Sequence, residues 1–386
     1  MKEFISSRTA DFTESIIREM TRRNYEADGI NLAQGFPDFN PPEEIIRAAE
    51  KALRDGWNQY SITWGSPRLR EAIADKVRWY NGIEADPAKN ITVTCGATEA
   101  MMAALMAIVN IGDEIILFEP FYENYGPDSI VSGAKPVYVT LHEPDFKFDR
   151  EELRRAFSTK TKAIIINTPQ NPSGKVFSMD ELAYISDLCN EFDAMVITDE
   201  IYEHIIYDGY KHVSPASVPG LQDRTITINS VSKTYSATGW RVGWAIAPES
   251  VTNAIRKVHD FLTVGAPAPL QEASVTALKL PVSYYEDLAA FYEHKRDMML
   301  EGLDAAGFKT YKPLGAYYML TDTSNFGYAD DMEFAINLIE NIGIATVPGR
   351  GFYTRPEDAR TKTRFAFCKR TETLEKAIEH LSRLKP

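Results

Sequence analysis

The chain reads as an α/β protein: a large domain on a mostly parallel central sheet flanked by helices, plus a smaller α+β domain. Three observations predict this. Short β-branched runs alternate with amphipathic helical stretches between about residues 91 and 260, a spacing that needs crossover connections and covers both sheet faces. From about Pro281 onward helical patterns dominate, with only two strand-like runs. Several apolar runs of the first part lead directly into Asp, Ser, Asn or Gly, and open α/β sheets bind their ligands at such strand ends.

In chain order, apolar periodicity over 13–24 predicts a helix with no strand of its own nearby, which must pack elsewhere. Strands follow at 91–95, 114–119, 136–141, 163–167, 195–200, 225–230 and 241–247, each a short run rich in Val, Ile or Thr. Between them, 97–109, 179–192 and 251–260 carry helical periodicity. Beyond Pro281, helices are expected at 284–307, 331–342 and 373–384, and strands at 315–321 and 362–367.

The 386 residues are 44% apolar and 25% charged, ordinary for a globular protein and enough for a sizeable core. Against 42 Lys and Arg stand 55 Asp and Glu, a net charge of −13. That excess argues against nucleic acid or an anionic membrane as partner. Cys95, Cys189 and Cys368 are odd in number and far apart. They form no disulfide framework and no CxxC metal pair, so no metal is expected and a reducing, cytoplasmic setting fits. The first residues lack the apolar core of a secretory signal, and the longest apolar run, 100–109, is about half a membrane span.

Four segments carry chemistry. In Ser230-Val231-Ser232-Lys233, with Gly239, Arg241 and Gly243 close behind, hydroxyls and a guanidinium can cradle an anion. A lysine beside that cradle can form a Schiff base with an aldehyde whose phosphate tail is bound there. A polar surface turn is the plainer reading. In Met195–Tyr202 an apolar strand ends in Asp199 and Glu200, with Tyr202 beyond. A carboxylate there can keep a heterocyclic nitrogen protonated, as an electron-sink cofactor requires; it can equally cap a helix. In Asn167–Gly174, Pro and Gly fix a turn that presents Asn171, unless the turn is only a connection. In Thr94-Cys95-Gly96-Ala97-Thr98-Glu99 the start of a helix offers free N–H groups to a phosphate, or is a plain N-cap.

Together these segments supply the parts of one ligand, and the chain resembles the class I aminotransferases, pyridoxal-phosphate enzymes of the aspartate aminotransferase fold (fold type I). The resemblance runs from Asn31-Leu32-Ala33-Gln34-Gly35 to Arg364-Phe365-Ala366-Phe367-Cys368. It is similar to kynurenine, glutamine and methionine transaminase-like members and to prokaryotic aspartate aminotransferase-like ones. The resemblance implies Lys233 as the Schiff-base lysine and proton carrier, and Asp199 as partner of the pyridine nitrogen. It implies Tyr202 and Asn171 as donors to the ring oxygen, and Tyr122 as the stacking aromatic. Ser230, Ser232, Arg241 and the Gly96-Ala97-Thr98 turn would form the phosphate cup. Arg364 would grip the substrate α-carboxylate, with Asn171 and the Gly35 backbone beside it. Tyr60 would reach the phosphate of a neighbouring subunit, which implies a homodimer with shared sites. The implied large domain spans 48–280; both chain ends, 1–47 and 281–386, would build the small one.

Specificity is harder to read. Dicarboxylate-specific members often add a second arginine, and the stretch 262–271 has none. Phe36, Tyr60, Trp64 and Tyr122 are candidate pocket walls, which favours neutral or aromatic amino donors. Arg350 stands where the family loop usually carries a small residue; it could serve a distal carboxylate or lie on the surface. His204 is expected on a helix face. A carbon–sulfur β-lyase would use the same Lys233 and Asp199. A ligand sensor of this fold would carry an N-terminal DNA-binding domain, for which the fold-like pattern leaves only about 30 residues.

Overall fold

A computed structural model describes residues 4–10 and 12–384. Its largest sheet has eight strands. From one edge to the other they are Ile91–Thr94, Gly243–Ile246, Thr225–Ser230, Met195–Asp199, Thr161–Asn167, Glu114–Glu119, Lys135–His142 and Lys147–Phe148. Five consecutive strands, from Thr225–Ser230 to Lys135–His142, run parallel. Gly243–Ile246 runs against both its neighbours.

Side chains alternate along these strands, so each face meets its own layer of helices. Ile115, Leu117, Ile197 and Ile228 pack with Ala100, Ala104 and Leu105 of the helix Ala97–Ile108. Ile116, Phe118, Ile164 and Val196 pack with Leu182, Ile185 and Leu188 of the helix Met179–Glu191. A second sheet of four antiparallel strands lies in the C-terminal part: Lys309–Thr310, Tyr318–Asp322, Lys362–Ala366 and Val347–Pro348. Helices Val282–Ala305 and Thr371–Leu381 accompany it.

The N-terminal helix occupies Ile16–Ala27 and does pack elsewhere: Ile17 and Met20 join a cluster with Ile339, Ala345, Val347 and Phe352. Ile30–Asn31 pairs in parallel with Ile344–Ala345. Two expectations need correction. Arg241 lies before its strand, because its left-handed backbone (φ 53°) cannot continue an extended run. His204 sits in a buried turn, between the rings of Tyr80 and Tyr285 at 3.8 and 4.2 Å. Helices Glu43–Arg54, Pro67–Asn81 and Ala268–Leu278 are additional. Among the described residues no helix is long and apolar enough to cross a membrane.

Candidate active site

Strand direction gathers the site. The parallel strands ending at Glu119, Asn167, Asp199 and Ser230 present their C-terminal ends at one edge. Ile91–Thr94 ends there too, since two antiparallel pairings separate it from Thr225–Ser230. Gly243–Ile246 starts at that edge, which delivers Arg241. The loops enclose a cavity of about 500 Å3 lined by Ala97, Thr98, Tyr122, Asn171, Asp199 and Tyr202, with Ser230, Ser232, Lys233, Arg241, Gly35 and Arg364 completing the polar wall.

One end is built for an anion. The helix Ala97–Ile108 starts at Gly96 without a side-chain cap, leaving first-turn N–H groups to a ligand. Gly96 has φ +84°, and a Cβ there would lie 2.2 Å from the Arg241 guanidinium; only glycine permits that approach. Arg241 donates to the carbonyls of Thr238 at 3.0 Å and Cys95 at 3.4 Å. The Ser230 hydroxyl accepts the Ser232 amide at 3.2 Å.

The other end holds a carboxylate. Asp199 is buried, and burial pushes its carboxyl up to about 6, while a hydrogen bond from Tyr125 (2.8 Å) and the amide of Ile201 (3.3 Å) pull it down. Lys233 projects between the two ends and donates to the Gly35 carbonyl at 3.0 Å. Burial brings its amine down to about 8, so a minor neutral fraction, about a tenth, exists at pH 7. A nucleophilic amine needs that fraction.

Arg364 arrives from the smaller sheet and is fully buried. It donates to Asn171 Oδ1 at 2.8 Å and to the Ala33 carbonyl, and it lies over the rings of Tyr318 (4.2 Å) and Phe352 (4.9 Å). Its Nε has no hydrogen-bond partner among the described residues. Gly35 is required beside it, because a Cβ would fall 1.7 Å from the Tyr318 hydroxyl. Tyr202 and Tyr318 share a hydrogen bond of 3.1 Å.

The chain that builds this cavity has counterparts among known proteins. The family model described as aminotransferase class I and II matches residues 27–381. The chain belongs to this family. It is 37% identical over 387 residues, 97% of each chain, to a probable N-succinyldiaminopimelate aminotransferase of Mycobacterium tuberculosis. It is 36% identical over 400 residues, 95% of each chain, to human kynurenine–oxoglutarate transaminase 1. The structure of YbdL from Escherichia coli, reported as a methionine aminotransferase, superposes with a TM-score of 0.95 at 35% identity, covering 99% of this chain and all of that one.

Not every residue singled out in this aminotransferase reaches the cavity. Tyr60 is 88% exposed, and Trp64 lies against Arg256 at 5.1 Å; neither lines it. Beside the stretch 262–271, Phe261 is exposed on the surface, as are Leu262 and Val264. Phe36 and Tyr122 do form walls. Arg350 is bound to Asp331 at 2.7 Å and Asp330 at 3.2 Å, outside the cavity, so it serves no distal substrate group there.

The cavity also contains residues the sequence reading passed over. Tyr125 is one; its position three residues after Tyr122 was the available signal. Asp128, a turn further along the helix Tyr125–Ser132, has a buried oxygen without a partner among the described residues, and burial raises its carboxyl to about 7. Ser15, Ile17 and Arg18 of the N-terminal segment line it as well. Glu123 docks that segment, accepting from the Ser15 hydroxyl and from the Ile17 amide at 3.4 Å. Behind the strand end, Glu200, Glu203 and His212 come within 4.8 Å of one another. Their charge is already met: Lys76 pairs with Glu203, and Asn81 and Ser214 donate to Glu200.

Proposed function

We propose that this aminotransferase uses pyridoxal 5′-phosphate to move the amino group of an L-amino acid to a 2-oxo acid, in two ping-pong half-reactions. The observation that carries the reading is Lys233, seated between an anion cradle and the carboxylate of Asp199 in one cavity. The donor set fits the cofactor. Ser230, Ser232, Arg241 and the Gly96-Ala97-Thr98 turn suit a phosphate, and Asp199 suits a protonated ring nitrogen. Tyr122 is the stacking face, and Asn171 and Tyr202 offer an amide and a hydroxyl group, respectively, to the ring oxygen. Tyr60 would come from a second copy of the chain, whose exposed Phe261, Leu262 and Val264 suit a homodimer.

Bound pyridoxal phosphate supplies an aldehyde carbon and a ring that absorbs the electron pair left at a deprotonated carbon. The protein does the rest. Arg364, with the Asn171 amide and the Gly35 backbone, orients the substrate through its α-carboxylate, a two-pronged grip that lysine could not match. Lys233 Nζ, lowered by burial, takes a proton and returns it at neutral pH. Asp199, kept ionised by Tyr125, holds the opposing charge at the far end. We also propose that residues 48–280 act as the cofactor-binding unit and both chain ends as the smaller one. Phe36 and Tyr122 support neutral or aromatic donors.

The test is a half-reaction screen. The enzyme is loaded with pyridoxal phosphate, single amino acids are added, and the visible absorbance is followed with 2-oxo acid release. A set of donors that bleaches the visible band and leaves the matching 2-oxo acid is expected. Pyruvate and ammonia from β-substituted donors, with the band persisting, would overturn the reading in favour of a β-lyase.

A further inference from the structure

A buried ion pair stands behind the anion cradle. Glu99 follows Thr98 in the first turn of the helix Ala97–Ile108. Its carboxylate reaches back to accept the amide of Cys95, and the Cys95 carbonyl in turn accepts from Arg241 at 3.4 Å. The same carboxylate accepts from the Thr263 hydroxyl at 2.7 Å and lies 2.6 Å from His259 Nδ1. The other ring nitrogen, Nε2, lies 2.7 Å from the Thr63 carbonyl. Thr63 belongs to the segment that bears Tyr60, where the Gln271 amide also donates to Ser61 at 2.9 Å. The His259 side chain is fully buried and that of Glu99 nearly so.

These neighbours fix the proton count on the ring. A carbonyl oxygen only accepts, so Nε2 carries a proton. A carboxylate that already accepts from an amide and a hydroxyl also only accepts, so Nδ1 carries one too. His259 is therefore an imidazolium paired with a carboxylate. Burial works against its charge, but the hydrogen bond and charge of Glu99, with the Thr63 carbonyl and Asp260, outweigh it and raise the imidazole above its ordinary value. Burial likewise opposes the Glu99 carboxylate, and His259, the Cys95 amide and Thr263 hold it below its ordinary range. Glu99 from the cradle helix and Asp260 on its own helix are the charged groups acting on the ring, and Arg241 joins the same corner through the Cys95 carbonyl.

We infer that Glu99 and His259 are positioning residues for the cofactor phosphate: the imidazolium cancels the charge of the carboxylate, which can then hold Cys95 in place without repelling the phosphate. This rests on the proposed function, in which the cradle takes the phosphate of pyridoxal phosphate. A carboxylate in the first helical turn competes with a bound anion for the same positive helix end. Unpaired and buried, it would repel a phosphate; paired, it keeps only its hydrogen bond to Cys95. Loss of the His259 proton bares that charge. It also breaks one of the ring's two contacts, to the cradle helix or to the Tyr60 segment. By linkage, a bound phosphate tightens the hold of His259 on its proton by the same factor.

The probe is pyridoxamine phosphate, which binds without a covalent bond to Lys233. Its dissociation constant is measured from about pH 6 to about pH 10 on cofactor-free wild type, on His259→Gln, and on the double variant Glu99→Gln with His259→Gln. The ratio of the single variant to wild type cancels the titrations of the probe and of Lys233. It is about tenfold or more near pH 6, where only wild type has the counter-charge, and falls towards one as the wild-type imidazole loses its proton. Adding Glu99→Gln recovers most of the loss near pH 6, because the repelling charge leaves with its partner. A ratio that is constant with pH, or a double variant that binds more weakly than His259→Gln, overturns the inference, since a purely structural role predicts both. Nitrogen-15 spectra of the histidine rings in the wild-type holoenzyme give a reading that depends on no variant's folding: two protonated nitrogens on His259 near pH 7 are expected, and a bare nitrogen overturns the inference. A wild type that binds pyridoxamine phosphate at no pH refutes the proposed function itself, and this inference falls with it.

Discussion

The hydroxyl of Tyr125 donates to Asp199 Oδ2 at 2.8 Å, so the first residue of the helix after one strand bears on the charge at the end of another. Burial raises the Asp199 carboxyl to about 6, and Tyr125 is the strongest influence opposing it. Tyr125→Phe removes a donor to the charged form, so the carboxyl moves higher still. The acid limb of the kcat/KM profile should shift upward in pH, and activity at pH 7 should fall about tenfold. A profile that superposes on wild type would show that Asp199 needs no help from Tyr125. The same shift has a stability sign: a carboxyl raised from 3.8 to about 6 on folding costs stability above pH 6. That cost is relieved as the pH falls between those values.

Lys233 gives the opposite case. Its folded value is about 8 against 10.5 unfolded, from burial. Between those values the unfolded chain binds more protons, so the Lys233 contribution to stability rises with pH. Cofactor-free Lys233→Met should be about 1–2 kcal/mol more stable than wild type at pH 7. The gap should close as the pH approaches 10.5 in denaturant titrations. The variant should also be inactive with every donor.

Gly96→Ala tests the cradle. The new Cβ meets Arg241 at 2.2 Å on a backbone with φ +84°, so the guanidinium must leave its place. The expected result is a cofactor dissociation constant weakened about tenfold or more, with a stability loss of about 1–2 kcal/mol. Absorbance titration of the cofactor-free protein with pyridoxal phosphate measures the first. An unchanged constant would remove Arg241 from the phosphate site.

The strand-end segments were legible because each is local: a β-branched run followed at once by Asp199, by Asn171 or by Ser230 and Lys233. The cavity they share follows from strand direction alone. Arg241 looked like strand because Val242 and its successors do; its left-handed backbone breaks the run just before Gly243, where a Cβ would meet the Gly96 backbone at 2.5 Å. The helix Pro67–Asn81 announces itself by the Ser66 cap, whose hydroxyl accepts the Leu69 amide, and by Pro67 at its first position. Arg18 was not legible, since only tertiary packing brings its helix to the cavity. Arg350 drew notice by its place in a loop, and the structure gives it to Asp331.

The parallel pairing of Ile30–Asn31 with Ile344–Ala345 joins chain segments made at opposite times. Gly35 and the Ala33 carbonyl emerge before Arg364, which leans on that carbonyl and follows it by 331 residues. The sheet and its lysine can assemble while the chain is still growing. The grip around Arg364 cannot. A nascent chain is therefore able to hold its strands in register well before it holds a substrate, and loss of the segment carrying Arg364 would leave a scaffold with its anion cradle and no hand on the amino acid.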